Sequence, residues 1–275
     1  REYRVISALG DTDVPVPKTY CLCTDESIIG TWFYVMDCVE GRIFWDLTLP
    51  TLEPDERQAI YQSTNQAMAS LHQVDFSAVG LDGFGKTQDY VARQISRWSG
   101  QYLESTHDRI EELDKLIDWL KSNIPDTDEC GIVHGDYRLD NMIVHPTEPK
   151  IVAILDWELA TLGDPLADFS YHCMSWRIDQ GERGILGKVS DADKTRLGIP
   201  TEEEYVAQYC ANTGRGSMPN WEFYMIYNLF KLSAILHGIL GRSKAGTAAS
   251  EHAADTGKEA YSLAKQGWSL VQKIG

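Results

Sequence analysis

The sequence is short of positive charge. Its 25 Lys and Arg face 41 Asp and Glu, a formal net charge of −16. Nucleic-acid partners need a basic footprint to displace counterions from the phosphate backbone, so no nucleic-acid partner is expected. The acidic balance permits a cationic substrate, although acidic surfaces serve mainly to keep a protein in solution. Cysteine is sparse and its spacing makes no CxxC pair. Cys21, Cys23, Cys38, Cys130, Cys173 and Cys210 therefore do not read as a zinc site. Cys21 and Cys23 alternate along an expected strand, and the cysteines are expected to be buried, reduced thiols of a cytoplasmic protein. The chain opens Arg-Glu-Tyr-Arg without a basic start and a following apolar run, so no signal peptide is expected. No apolar stretch reads as long enough to span a bilayer, and no membrane partner is expected. Internal repeats and low-complexity segments are also missing.

Apolar material is plentiful. Hydrophobic residues make up 43% of the 275, with 8 Trp and 13 Tyr, enough for one large domain or two modest ones. Tyr3, Ile6 and Leu9 share a helical face that ends near Gly10. Val14-Pro-Val-Pro17 excludes helix and leads to a strand over Thr19–Thr24, and Trp32–Met36 reads as a second. Glu53–Val74 is expected to be helical, with Pro54 suited to a first turn and acidic residues near the start. Further helices are expected over Tyr90–Leu103, Arg109–Asn123, Leu166–Trp176, Thr201–Asn212, Trp221–Leu240 and Thr256–Lys273. Gln180–Leu197, rich in Gly, Asp, Arg and Lys, reads as a mobile excursion.

One stretch carries chemistry. Cys130–Val133 reads as a short strand, and His134 to Asn141 as a polar loop. Met142–Val144 and Ile151–Leu155 read as a hairpin. The hairpin presents Asn141 at one end and Asp156 at the other, close to Asp136. Phosphoryl transfer needs one carboxylate to accept or orient the proton of an attacking hydroxyl. It also needs hard oxygen ligands that hold magnesium against the phosphates. An Asp and an Asn five residues apart, with a second Asp at the end of the next strand, can supply both.

These residues resemble the aminoglycoside phosphotransferase and choline-kinase-like superfamily. His134-Gly135-Asp136…Asn141 is similar to its HGDxxxxN motif, and Asp156-Trp157 to its ID[FW]. Gly163-Asp164-Pro165…Asp168 and Phe33-Tyr-Val-Met36…Glu40-Gly41 extend the likeness. Leu71-His72-Gln-Val-Asp75…Val79-Gly80-Leu81 and Arg93-Gln94…Arg97-Trp98 resemble a subgroup, the phosphotransferase domain fused to some acyl-CoA dehydrogenases. The resemblance implies that Asp136 is the catalytic base or hydroxyl-orienting residue, and that Asn141 and Asp156 bind Mg2+. It implies that the backbone of Met36, Asp37, Cys38 and Val39 faces the adenine of ATP. Glu2 would be the helix glutamate that pairs with a phosphate-binding lysine, and Asp168 would brace the catalytic loop. His134 is expected to be structural, and His72 and His145 non-catalytic. Asp140 and Glu158 could touch metal-bound water or serve as caps.

The pattern has a gap. The Gly-rich hairpin and strand lysine expected before Glu2 are not in this sequence, and Lys18 is out of place for that role. Residues upstream of Arg1 are the favoured source, an impaired protein the other. The expected fold is α+β and protein-kinase-like, with a small mixed lobe over 1–38 and a large helical lobe over 39–275. ATP is expected in the cleft between them. The expected function is ATP- and Mg-dependent phosphotransfer to a hydroxyl of a small molecule. An anionic group on that acceptor could meet Arg93, Arg97 or Arg177, and a hydroxyacyl compound is the favoured class. A regulatory nucleotide-binding module without catalysis, and a metal-dependent phosphoesterase, are the competing readings.

Overall fold

The computed structural model describes residues 1–105, 108–127, 129–178, 186–244 and 253–274. The chain divides into two compact units. The first comprises Arg1–Lys86, Glu129–Phe169 and Ser190–Met218. It opens with helix α1 (Glu2–Leu9), whose Val5, Ile6 and Leu9 face inward. Strands β1 (Thr19–Cys23) and β2 (Phe33–Met36) follow, with the short helix α2 (Glu26–Ile29) between them. β1 and β2 pair antiparallel, Cys23 opposite Phe33 and Thr19 opposite Met36, with a bulge between Thr19 and Cys21. Helix α3 (Pro54–Gln73) begins with its proline in the first turn beside Asp55 and Glu56, where a missing N–H costs nothing and negative charge meets the helix dipole. Its Ile60, Thr64, Met68 and Leu71 are buried at helical spacing.

Two small sheets sit behind the polar loop. β3 (Gly131–Val133) pairs antiparallel with β6 (Thr161–Gly163), and β4 (Met142–Val144) with β5 (Ile151–Ile154). The backbone of Arg42 exchanges two hydrogen bonds with Val144, at 2.7 and 2.9 Å, and so extends the second sheet. Gly41 makes that approach possible, because a Cβ there would lie 2.3 Å from Ile143 Cγ2 and 2.4 Å from the Val144 carbonyl oxygen. Helix α6 (Pro165–Cys173) contributes its first residues to this unit. Helices α7 (Asp191–Leu197) and α8 (Glu202–Thr213) complete it. Thr201 and Glu204 close a reciprocal capping box at the start of α8.

The second unit comprises Thr87–Asp128, Ser170–Val189 and Pro219–Gly275. Helices α4 (Tyr90–Leu103) and α5 (Glu111–Ser122) bury one apolar stripe each, Val91, Ile95 and Tyr102 on α4 and Leu113, Leu116, Ile117 and Leu120 on α5. Both pack on α9 (Trp221–Lys244) or α10 (Ala253–Ile274). α9 is buried along most of its length, as a central helix must be when its apolar residues run all round it.

Four expectations need correction. By length and composition, Trp221–Ser243 does reach the size needed to cross a bilayer, and 83% of its most apolar window is buried inside the protein. The cysteines are not uniformly buried. Cys21 and Cys38 are exposed and only Cys173 is fully buried, because β1 and β2 form a two-stranded ribbon with little cover. Of the segment expected as a mobile excursion, 180–185 lie outside the described residues, but α7 is ordered by its ends. Ser190 accepts from the Asp193 N–H at 3.2 Å, and Gly198 closes the helix at φ +74°. Finally, Arg177 is not an open cation, since its guanidinium grips Glu222 through two contacts of 2.6 and 2.8 Å.

Candidate active site

The loop from His134 to Asn141 leaves β3 and enters β4, and the turn from Leu155 to Ala160 leaves β5 and enters β6. Antiparallel pairing of Met142 with Ile154 therefore puts Asn141 and Asp156 side by side at one end of the hairpin, not at opposite ends. The Leu155 N–H donates to the Asn141 carbonyl at 2.8 Å and locks that neighbourhood. Asn141 Nδ2 donates to the Asp136 carbonyl oxygen at 2.9 Å and to Asp136 Oδ2 at 3.2 Å. Asp136, Asn141 and Asp156 are thus gathered in one place by backbone pairing and a side-chain clamp.

Asp156 stands apart from its neighbours. It follows a buried strand, it is exposed, and its backbone adopts φ 64°, ψ 56°. A non-glycine residue in that region costs of order 1 kcal/mol and points to a functional constraint. Its carboxylate has no hydrogen bond or ion pair among the described residues. Asp140, by contrast, is paired with Arg138 at 2.5 and 3.0 Å.

The loop is braced from beneath. Asp168 is buried in the first turn of α6, where its Oδ2 accepts from the His134 N–H at 2.7 Å and its Oδ1 from the Gly135 N–H at 2.9 Å. Burial alone would raise the Asp168 carboxyl, but His72 and the hydrogen bonds at His134 outweigh it and hold the group below the usual carboxylate range. His134 is fully buried, and burial pushes its imidazole below the usual value. Its Nδ1 accepts from the Asp136 N–H at 3.3 Å, so Nε2 carries the proton and donates to the Leu155 carbonyl at 2.9 Å. One neutral ring therefore ties the loop to the strand end that carries Asp156. Gly135 is required where it stands. At φ +87° it occupies left-handed space, and a Cβ there would come within 3.0 Å of Leu159 Cβ. Tyr137 pins the middle of the loop to α3 through its hydroxyl, 2.8 Å from the Thr64 carbonyl oxygen.

The remaining candidates lie in the same unit. Glu2 sits in the first turn of α1, and burial together with the negative charge of Glu2 raises the Tyr34 phenol of β2 above its usual value. Arg1 donates to the Ala160 carbonyl at 2.8 and 3.0 Å, which anchors the start of α1 on the turn after Asp156. Met36 ends β2, and the Asp37 N–H donates to the Lys18 carbonyl at 2.9 Å. The main-chain groups of Cys38 and Val39 make no hydrogen bond among the described residues. Lys18 lies 5.3 Å from the centre of the Tyr20 ring. Sequence reasoning missed β6, which is only three residues long, and the contact of His72 with Asp168 at 3.4 Å. A signal for the second was present, since His72 fell within the quoted Leu-His motif.

Comparison with known proteins fits this geometry. The family model for the phosphotransferase enzyme family, APH, matches residues 1–221. The chain belongs to this family. Acyl-CoA dehydrogenase family member 10 of Mus musculus is 44% identical over 275 residues, which is 100% of this chain and 26% of that protein. The phosphotransferase chain thus spans about a quarter of the length of this curated relative. A crystal structure of a Ralstonia eutropha JMP134 protein, described as a candidate aminoglycoside phosphotransferase, is 50% identical, with a TM-score of 0.94 over 99% of this chain and 82% of its own. The GDP and kanamycin complex of APH(2")-IIia shares only 14% identity, yet its TM-score is 0.65 over 96% of this chain and 82% of its own, which bears on the fold alone. The fold of this family member is α+β and protein-kinase-like, as the sequence resemblance implied.

Proposed function

We propose that the chain transfers the γ-phosphate of ATP, with Mg2+, to a hydroxyl of a small molecule. The observation that carries this reading is the gathering of Asp136, Asn141 and Asp156 at one end of the β4–β5 hairpin, with the Asp156 carboxylate engaged by no hydrogen bond or ion pair among the described residues. The donor set suits magnesium. That ion takes oxygen ligands, and it is bound through one or two carboxylates together with substrate phosphates, not by a dedicated protein cage. Asp156 and the Asn141 side-chain oxygen would hold it, and no cluster of three or more His, Cys, Asp or Glu suited to a metal occurs among the described residues. When bound, the ion supplies positive charge against the phosphate oxygens.

This chain's own residues do the rest. The Asp136 carboxylate, fixed by Asn141 and by its own N–H on His134, accepts or orients the hydroxyl proton. The main chain at Cys38 and Val39, without hydrogen bonds among the described residues, is suited to the edge of an adenine, and Glu2 to pairing with a phosphate-binding lysine. The expected boundary between a small lobe over 1–38 and a large lobe over 39–275 belongs to the same proposal. For the acceptor we favour a hydroxylated acyl compound, such as a hydroxyacyl-CoA, over an aminoglycoside. The support is the 44% identity to an acyl-CoA dehydrogenase family member. The test is ATP turnover with hydroxyacyl-CoA esters and kanamycin-type aminoglycosides side by side, with Asp136→Asn as control. Turnover of the esters, lowered at least about 10²-fold in kcat by loss of the positioned base, is expected. Turnover of aminoglycosides alone overturns the acceptor class, and an Asp136→Asn variant with near-normal kcat overturns the catalytic assignment.

A further inference from the structure

The segment 41–52, between β2 and α3, is tied down at both ends yet leaves two apolar side chains in solvent. Arg42 is fixed by its backbone pair with Val144, and its guanidinium donates to the His145 carbonyl at 3.0 Å and to Glu56 at 2.6 Å. Asp46 closes the next turn by accepting from the Thr48 N–H and hydroxyl, both at 2.8 Å. The Tyr61 hydroxyl of α3 donates to the Leu47 carbonyl at 2.5 Å. The buried Arg57 guanidinium donates to the Leu49 carbonyl at 3.0 and 3.2 Å and to the Leu52 carbonyl at 2.8 Å. Between these anchors Ile43 is 47% exposed and Trp45 79%, the most exposed large apolar side chain among the described residues. Phe44 between them is half-buried, its ring centre 5.6 Å from the Arg42 guanidinium.

Apolar side chains scattered singly on a surface are ordinary. Two features set this pair apart. The backbone on either side is held by hydrogen bonds, so the segment is not free to fold the two side chains inward. The second feature is position. The Arg42–Val144 bridge is antiparallel, so the chain leaves Arg42 in the direction in which β4 runs back to Met142 and Asn141. Ile43 and Trp45 lie one and three residues along that course, toward the end of the hairpin that carries Asn141 and Asp156. Their charged neighbours in sequence, Arg42 and Asp46, are already bonded to Glu56 and Thr48. What faces solvent is therefore a rigid indole and a branched aliphatic side chain. Such a surface offers contact area at little cost in side-chain entropy. It suits a hydrocarbon chain and offers a cationic sugar no charge.

We infer that Ile43 and Trp45 form the apolar contact for the acyl chain of the acceptor, and that Trp45 sets the response to chain length. The inference rests on the acyl acceptor proposed above and adds the side chains that recognise it. The hydrocarbon lies against the indole and Ile43, with the hydroxyl directed to Asp136.

The test measures binding of butyryl-, hexanoyl- and octanoyl-CoA to the whole protein by calorimetry. These esters carry no acyl hydroxyl, so the readout does not depend on phosphate transfer. A chain covered on one side gains about half the effect of a fully buried methylene, so affinity should rise about twofold per CH2, or about 16-fold from butyryl to octanoyl. Trp45→Ala should cut that gain to about fourfold, and Trp45→Ala with Ile43→Ser should abolish it. Trp45→Phe keeps an aromatic face and should keep most of the gain. Mg-ATP affinity should be unchanged in all three. Tyr261→Ala, which removes an exposed aromatic of α10, is the control and should alter neither readout. A gain that survives Trp45→Ala undiminished overturns the inference. So does an equal loss in Tyr261→Ala, or no acyl-CoA binding at any chain length. Loss of Mg-ATP affinity with the acyl series unchanged also overturns it, since the indole then stands against nucleotide. If hydroxyacyl-CoA esters bind with the expected dependence on chain length and Trp45 yet receive no phosphate from ATP, the phosphotransferase reading falls and the acyl contact stands.

Discussion

Replacing Asp168 by Asn tests the brace most directly. The carboxylate accepts two backbone N–H groups at 2.7 and 2.9 Å inside the protein, with His72 3.4 Å away. Asparagine offers one oxygen in place of two. Its amide group would face either a loop N–H or the His72 N–H, donor against donor. One buried donor left without an acceptor costs about 1–3 kcal/mol, and the bond that survives loses its charge assistance, roughly another 1 kcal/mol. Asp168→Asn should therefore lower stability by about 2–4 kcal/mol near neutral pH, a fall in Tm of roughly 5–12 °C for units of this size. The pH dependence has a definite sign. The folded-state pKa is depressed, so the contribution is complete above the unfolded value of about 3.9 and is lost as pH falls through the folded value. Urea midpoints for the two proteins at a series of pH values give both quantities. Their gap should stay constant from pH 7 to 5 and narrow only in stronger acid. A gap under about 0.5 kcal/mol at pH 7, within the range of an ordinary surface change, would refute the reasoning. So would narrowing already between pH 7 and 5.

Two further substitutions probe the site. Asp156→Asn removes the one carboxylate proposed to face the metal and should weaken Mg-ATP binding sharply, with nucleotide affinity in the absence of Mg2+ far less affected; calorimetry with unchanged Mg-ATP affinity would contradict the assignment. Gly135→Ala places a Cβ at φ +87° and 3.0 Å from Leu159 and should cost about 1–3 kcal/mol of stability, read from denaturant midpoints, while a neutral effect would mean that the loop relaxes freely.

The sequence displayed what local chemistry controls. Most helices fell within a few residues of expectation, because their ends carry strong signals such as Pro54 at the start of α3 and Thr201 with Glu204 at α8. The loop and hairpin were legible for a related reason. Apolar runs bracket the polar residues, and the interval from Asp136 to Asn141 is fixed along the chain. Pairing across long intervals was hidden. Thr161–Gly163 is a strand only because it meets Gly131–Val133. His72 and Tyr209 are 137 residues apart, and nothing in either neighbourhood announces the other. Cys21 looked like a core residue because alternation on a strand says which residues share a face, not whether anything covers that face.

The charges read from the sequence as open to an acceptor are already partnered within the protein. Arg177, read from the sequence as a cation available to an anionic group, is bonded to Glu222, the one carboxylate of α9, and the two charges cancel. Other polar residues of α9 turn inward as well, Asn228 to the Ser170 hydroxyl at 2.7 Å and Ser233 to the Ala260 carbonyl at 2.6 Å. They satisfy a buried helix instead of lining a surface for substrate. Arg97 lies 5.0 Å from the Trp98 ring centre, where its stem and charge already have a partner. The net charge of −16 therefore has no concentrated counterpart on α9, and a cationic sugar gains nothing there from it. The preference for an acyl acceptor stands on kinship with the acyl-CoA dehydrogenase family members and not on electrostatics. Its natural consequence is an acceptor chosen by shape and apolar contact, so turnover should respond to acyl-chain length and hardly at all to ionic strength. A steep salt dependence of KM for the acceptor would show that an ionic contact does the choosing.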